Sequence, residues 1–264
     1  MIITTNGIAF NCEIGGREGA PWLTFSNSLA TDLTMWDHQV QAFASDYRIL
    51  RYDTRGHGGT ATATGPYSLD LLVDDVAAIW DEIGIDRSHV VGLSIGGMTA
   101  VGLALRHAER LLRVVVANAR SDNPPETRNA RERRITATER EGMSALAEPT
   151  VERWCSSTFR ASNPIAAKKL VAMVRATSLA GYVGCVRALL GLEYERRLSE
   201  ISVPMLFVAG TEDAGVPPDV MRKMHKEVRG SQFIELAQAG HISNIEQPTK
   251  FNKAVRDFLS APLI

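Results

Sequence analysis

Short apolar runs bounded by turn residues recur along this chain, separated by longer segments whose apolar residues fall at steps of three and four. A parallel sheet covered by helices produces that alternation, because parallel strands are buried on both faces and need a crossover between them. The runs that read as strands are Ile8–Glu13, Trp22–Phe25, Arg48–Tyr52, His89–Val91, Leu112–Ala117, Met205–Ala209 and Gln232–Glu235. Between them, Leu69, Leu72, Val73, Val76, Trp80 and Ile83 share one helical face. A second helix is expected from just after Ser94 to about His107. Pro248 opens the last one, with Phe251, Val255, Phe258 and Leu259 on its buried side. At 264 residues and 45% hydrophobic, the chain can bury one large core, with or without an insertion.

Residues 119–197 interrupt the alternation. The stretch is helical in character, contains no evident strand, and is expected to be cut into short helices by Pro124, Pro125, Pro149 and Pro164. Fourteen Lys and Arg against nine Asp and Glu make it basic, whereas the whole chain carries a formal charge of -1. Arg128, Arg131, Arg133, Arg134 and Arg140 crowd its first part. The expected organisation is a core of residues 1–118 and 198–264 with a helical cap of residues 119–197 inserted between two strands.

The near-zero net charge gives no reason to expect nucleic-acid or membrane-surface binding. No run of about 18 apolar residues is present, and the amino terminus lacks the basic and apolar regions of a signal peptide. Cys12, Cys155 and Cys185 are odd in number and far apart, which suits buried thiols in a reducing compartment. A cytoplasmic protein is expected. No metal-site or cofactor motif occurs: there is no H-E-x-x-H, no dinucleotide fingerprint and no phosphate loop, so neither metal nor cofactor is expected.

The segment Gly92-Leu-Ser94-Ile-Gly96 follows an apolar run and precedes the apolar MTAVGLAL. G-x-S-x-G alone is a weak pattern, but between a strand and a helix it reads as a nucleophile elbow. The turn is so tight that its flanking residues must be small, and the following helix turns N–H groups toward developing negative charge. A serine hydroxyl needs a base. His241 lies in the loop between the last expected strand and the last helix, where sheets of this kind place catalytic groups. His38, His107 and His225 fall on helices, His57 in a turn and His89 at a strand start. The acid is expected after an earlier strand, and Asp213, in Gly210-Thr-Glu-Asp213, is preferred over its neighbour Glu212 and over Asp122. Its role is to fix the histidine tautomer and stabilise the imidazolium. The chain order Ser94, Asp213, His241 is that of hydrolases built around such an elbow.

With the run from Ser26 to Asp37, then Arg48-Ile-Leu-Arg-Tyr-Asp53-Thr-Arg55-Gly-His-Gly58, Gly65-Pro-Tyr-Ser-Leu69, Glu152-Arg-Trp154 and Ala239-Gly-His241 through Glu246, the chain resembles the α/β-hydrolases similar to 3-oxoadipate enol-lactonase. The resemblance implies an α/β-hydrolase fold: a mostly parallel central sheet flanked by helices, with an inserted helical lid. Where many such hydrolases carry His-Gly, this chain has Asn27-Ser28, similar to enol-lactonases. By that alignment the backbone N–H groups of Leu29 and Ile95 form the oxyanion hole.

The function this implies is hydrolysis of a small carboxylated ester or lactone through an acyl-Ser94 intermediate. Within the lid, Arg133 is the candidate to hold a substrate carboxylate and Trp154 a candidate contact. The expected partner is therefore a small-molecule substrate, and a homo-oligomer is compatible with the sequence. Two alternatives stay open: a carboxylesterase or lactonase with another small substrate, and a slow-turnover small-molecule receptor that keeps the triad. Haloalkane dehalogenation is disfavoured, since it requires a carboxylate at position 94.

Overall fold

A computed structural model describes residues 1–261. An eight-stranded sheet forms the centre, built from β1 (Ile2–Thr5), β2 (Ile8–Gly16), β3 (Trp22–Ser26), β4 (Arg48–Tyr52), β5 (Ser88–Leu93), β6 (Leu111–Ala117), β7 (Met205–Gly210) and β8 (Gln232–Leu236). The helices are α1 (Asp37–Phe43), α2 (Leu69–Ile83), α3 (Ile95–Arg106), α4 (Pro125–Trp154), α5 (Ser157–Ser162), α6 (Pro164–Ala176), α7 (Leu179–Leu190), α8 (Pro218–Glu227), α9 (Ser243–Glu246) and α10 (Pro248–Ser260). All seven expected strands are present. The eighth, β1, has no apolar run of its own and forms an antiparallel hairpin with β2 through the turn at Asn6-Gly7, both residues with positive φ.

Strand order is β1-β2-β4-β3-β5-β6-β7-β8. The pairs β1/β2 and β2/β4 are antiparallel, and every pair from β4/β3 to β7/β8 is parallel. The order reverses around β3: the chain runs outward from β3 to β4, then returns to lay β5 on the other side of β3. Ligand sites of open α/β sheets form at such a switch point, beyond the carboxyl ends of the strands. Here it brings the loop after β3 beside the turn after β5. At the centre of the sheet, β5 and β7 are buried along their whole length.

The loop after β4 is anchored by two carboxylates. Asp53 accepts from the backbone N–H of Leu33 at 2.6 Å, from Gly59 at 2.8 Å and from Asn11 Nδ2 at 2.8 Å. It thereby ties the Leu33 and Gly59 loops to β2, and Gly58 must lack a side chain because a Cβ there would collide with the same carboxylate. Arg55 forms a bidentate pair with Asp75 on α2, at 2.6 and 2.5 Å, with both side chains 3% exposed. The Asp-Thr-Arg-Gly-His-Gly motif is thus a scaffold for the loop.

Helices α4 to α7 lie between β6 and β7, and the prolines act differently from the expectation. Pro125 and Pro164 open α4 and α6, but Pro149 lies inside α4 without ending it. The interruption is at Gly142, whose φ of 77° and ψ of 172° leave the helical region and divide α4 into two segments. A glycine adopts that conformation freely, whereas Pro149 keeps its fixed φ within the helical range, so the break falls at the glycine. No single helix among the described residues is long and apolar enough to cross a membrane.

Asp75→Ala would leave the Arg55 guanidinium buried without an anion. The expected loss is about 3–5 kcal/mol of unfolding free energy, read from the midpoint of a urea titration.

Candidate active site

The turn after β5 is compressed between two backbones. Ser94 has φ 58° and ψ -118°, an unusual conformation for a residue with a side chain. A Cβ on Gly92 would collide with the Gly96 carbonyl, and one on Gly96 with the Ser26 carbonyl at the end of β3. The two glycines therefore allow α3 to start hard against β3. Ser94 stands at the junction with its Oγ 2.9 Å from His241 Nε2.

His241 follows β8, as expected, and its Nδ1 lies 2.7 Å from Asp213 Oδ2. Asp213 follows β7. Its Oδ1 accepts from the N–H groups of Gly215 and Val216, each at 2.9 Å, and its Oδ2 also accepts from Asn118 Nδ2 at 2.9 Å. Burial alone would raise this carboxyl, but the His241 ring and the hydrogen bonds from His241, Val216 and Asn118 outweigh it and hold Asp213 below the usual carboxylate range. Neither alternative acid occupies this place. Glu212 is solvent-exposed, and Asp122 pairs with Arg120 at 2.8 Å. His38 is exposed on α1 and His107 ends α3.

Leu29 and Ile95 face each other across the switch point by topology: one follows β3, the other opens α3. The Leu29 loop is held from behind. Trp36 Nε1 donates to Asn27 Oδ1 at 2.9 Å, Asn27 Nδ2 donates to the Tyr52 carbonyl at 2.9 Å, and the Trp36 ring stacks on Phe25 at 4.9 Å. Asn27 is thus a buried bracket for the loop. Ala30, next to Leu29, has a φ of 59° that makes the turn sharp.

A cleft of about 270 Å³ opens above Ser94 and His241. Leu29 and Met98 line it from the core, and Trp154, Tyr182 and Leu189 from the inserted helices. Trp154 lines the cleft, its ring 6.3 Å from that of His241 and tilted by 29°. Arg133 does not. It is exposed on the outer face of α4, beside Glu132, Thr136 and Arg140. The arginines at the cleft are Arg120, Arg131, Arg134 and Arg153. On α4, Ile135 and Thr138 are buried, and Arg131 sits four and seven residues before them on the same stripe, whereas Arg133 lies well around the helix. That spacing was the available signal. Arg131 donates to Asn123 Oδ1 at 2.7 Å and to the Leu189 carbonyl at 2.6 Å. Burial, with Arg120 and Arg134 nearby, lowers it to about 10, so it remains a cation at neutral pH. Among the described residues, Arg131, Arg134 and Arg153 form no ion pair with a carboxylate. A cleft with that surplus of positive charge favours an anion.

Asn118 is the supporting residue that sequence reasoning missed. It directly follows β6, holds Asp213 through Nδ2, and receives the Ser243 hydroxyl on Oδ1 at 2.6 Å. Its position at the carboxyl end of a central parallel strand was the clue. No three His, Cys, Asp or Glu residues converge as a metal-binding set among the described residues.

An eight-stranded α/β sheet with a Ser–His–Asp relay at its switch point defines a class of hydrolases. The chain belongs to the alpha/beta hydrolase family, whose model matches residues 19–254. It is 36% identical to 3-oxoadipate enol-lactonase 1 of Acinetobacter baylyi, over 99% of this chain and 97% of that one. The crystal structure of the enol-lactonase from Burkholderia xenovorans LB400 superposes with a TM-score of 0.94 at 36% identity, covering 99% of this chain and 100% of that one. A thermophilic esterase from Thermogutta terrifontis, solved with malate bound, superposes with a TM-score of 0.91 at 27% identity, covering 98% and 97%.

Replacing Asn118 by Ala removes a donor to Asp213 and leaves the Ser243 hydroxyl unpaired. Steady-state kinetics are expected to show kcat reduced about tenfold with KM within twofold, equivalent to about 1.4 kcal/mol.

Proposed function

We propose that this protein hydrolyses a small carboxylated enol-lactone, of the 3-oxoadipate enol-lactone type, through an acyl-Ser94 intermediate. The observation that carries the reading is the Ser94–His241–Asp213 relay, at 2.9 and 2.7 Å, at the floor of a cleft lined by Arg131, Arg134 and Arg153, which have no carboxylate partner among the described residues. The similarity to enol-lactonases over nearly the whole chain supports the same substrate class. The malate in the Thermogutta esterase, a dicarboxylate, agrees with an anionic ligand in this fold.

In this reading His241 Nε2 takes the Ser94 proton as Oγ attacks the lactone carbonyl. The tetrahedral oxyanion accepts hydrogen bonds from the N–H groups of Leu29 and Ile95, each worth about 3 kcal/mol of barrier. Asp213 stabilises the imidazolium. When the ring C–O bond breaks, His241 returns the proton to the departing oxygen, giving an enol that tautomerises to the ketone. A water molecule, deprotonated by His241, then attacks the acyl-serine and releases the acid and the free Ser94 hydroxyl. The substrate carboxylate is held by Arg131, Arg134 and Arg153, and the helices of residues 119–197 act as a lid that excludes bulk water.

Parallel assays with p-nitrophenyl acetate and 3-oxoadipate enol-lactone test the proposal. Lactone turnover is expected to exceed ester turnover, and Ser94→Ala to lower kcat about 10⁴-fold or more. Arg134→Ala is expected to raise KM for the lactone about tenfold and leave KM for the neutral ester within twofold. Ser94-dependent turnover of the simple ester alone would reject the lactone assignment.

A further inference from the structure

Glu246 is 93% buried, yet no cation pairs with it among the described residues. Burial raises its carboxyl above the ordinary value, partly offset by hydrogen bonds from Ser156 and Gly240. Both of its oxygens are occupied, and they reach two different parts of the molecule. Oε1 accepts from the N–H of Gly240, the residue before His241, at 2.8 Å. Oε2 accepts from Ser156 N at 3.0 Å and from Ser156 Oγ at 2.8 Å, just beyond the end of α4. The same two segments are joined a second time, since His241 N donates to the Trp154 carbonyl at 2.6 Å. A Cβ on Gly240 would collide with that carbonyl and press on the Glu246 carboxylate. The histidine loop has no slack here: a side chain on Gly210, beneath it, would collide with the Gly240 carbonyl.

We infer that Glu246 is a positioning residue, which fixes the backbone of the catalytic-histidine loop against the Trp154–Ser156 wall of the inserted helices and so sets where His241 meets Ser94. The inference rests on the proposed Ser94–His241 chemistry. Three N–H or O–H donors converge on this carboxylate, so it must act only as an acceptor. A glutamine fills the same volume but turns an NH₂ toward the Gly240 N–H or the Ser156 donors, and two donors facing each other repel. The Gly240 N–H belongs to the loop just before His241, so the strain falls on the segment that carries the histidine. Displacement of a catalytic group by about 1 Å is enough to slow its chemistry by about two orders of magnitude.

An alkyl fluorophosphonate tests this without the substrate carboxylate, because its reaction with Ser94 depends on the nucleophile and its base. Glu246→Gln is expected to lower the labelling rate about tenfold or more and to lower kcat for p-nitrophenyl acetate in step, with KM within threefold. Ser156→Ala, which removes one of the three donors, is expected to lower both about two- to fivefold. The double variant should be no slower than Glu246→Gln alone, since both changes loosen the same loop. Labelling within twofold of wild type in a folded Glu246→Gln protein would overturn the inference. If that variant does not fold, unchanged labelling in Ser156→Ala overturns it. A wild-type protein that takes no label at Ser94 would overturn the underlying reading and this one with it.

Discussion

The close approach of two backbones at the end of the central strands governs this molecule. Ser26 at the tip of β3 and Gly96 at the start of α3 touch without side chains between them, and Ser94 is forced into its left-handed conformation at the same junction. Such a backbone costs on the order of 1–3 kcal/mol and persists only where the surroundings hold it. The surroundings here are β5, buried along its whole length, and α3, buried along most of its own. Because the elbow is pressed against β3, the loop carrying Leu29 lies next to the N-terminus of α3. The nucleophile and the two candidate oxyanion donors are set by one packing constraint.

Charge is distributed with equal economy. Asp213 is buried but fully hydrogen-bonded, so it stays ionised and holds the histidine ring from behind. Glu246 is buried, hydrogen-bonded to the same loop through Gly240, and pairs with no cation among the described residues. The guanidinium groups of Arg131, Arg134 and Arg153 belong to α4 and line the same cleft as the serine. In the proposed reaction the developing oxyanion and the substrate carboxylate have separate donors, the N–H groups of Leu29 and Ile95 for the first and these guanidinium groups for the second.

The sequence made the sheet legible because central parallel strands are apolar on both faces and short, and the elbow legible because its glycines are demanded by sterics. The relay was readable from order and position, Ser94 after one strand, Asp213 and His241 after two later ones. What escaped was of another kind. The first strand, β1, is an edge strand with Ile2 exposed, so it has no continuous apolar run. Pro149 misled because a proline signals a break only when its surroundings leave the helix, and the break fell at Gly142 instead. Arg133 misled because a cluster of arginines does not say which of them faces inward; only the stripe shared with Ile135 and Thr138 does. Asn118 and Glu246 act through hydrogen bonds to residues 95 and 90 positions away, which no local pattern records.

The relay also spans the chain: 147 residues separate the nucleophile from its base, and 28 separate the base from its acid. The three groups are carried by β5, β7 and β8, the last of which lies at the sheet's edge. Contacts between segments so distant in sequence are entropically the slowest to form. A refolding chain that has assembled β3 to β6 has its elbow and the loop carrying Leu29 but no base. Recovery of catalysis therefore reports the docking of the last strand and its histidine loop, and fluorescence from the buried Trp80, whose partner Thr24 lies on β3, can return earlier. In this protein, activity is a clock for the end of folding.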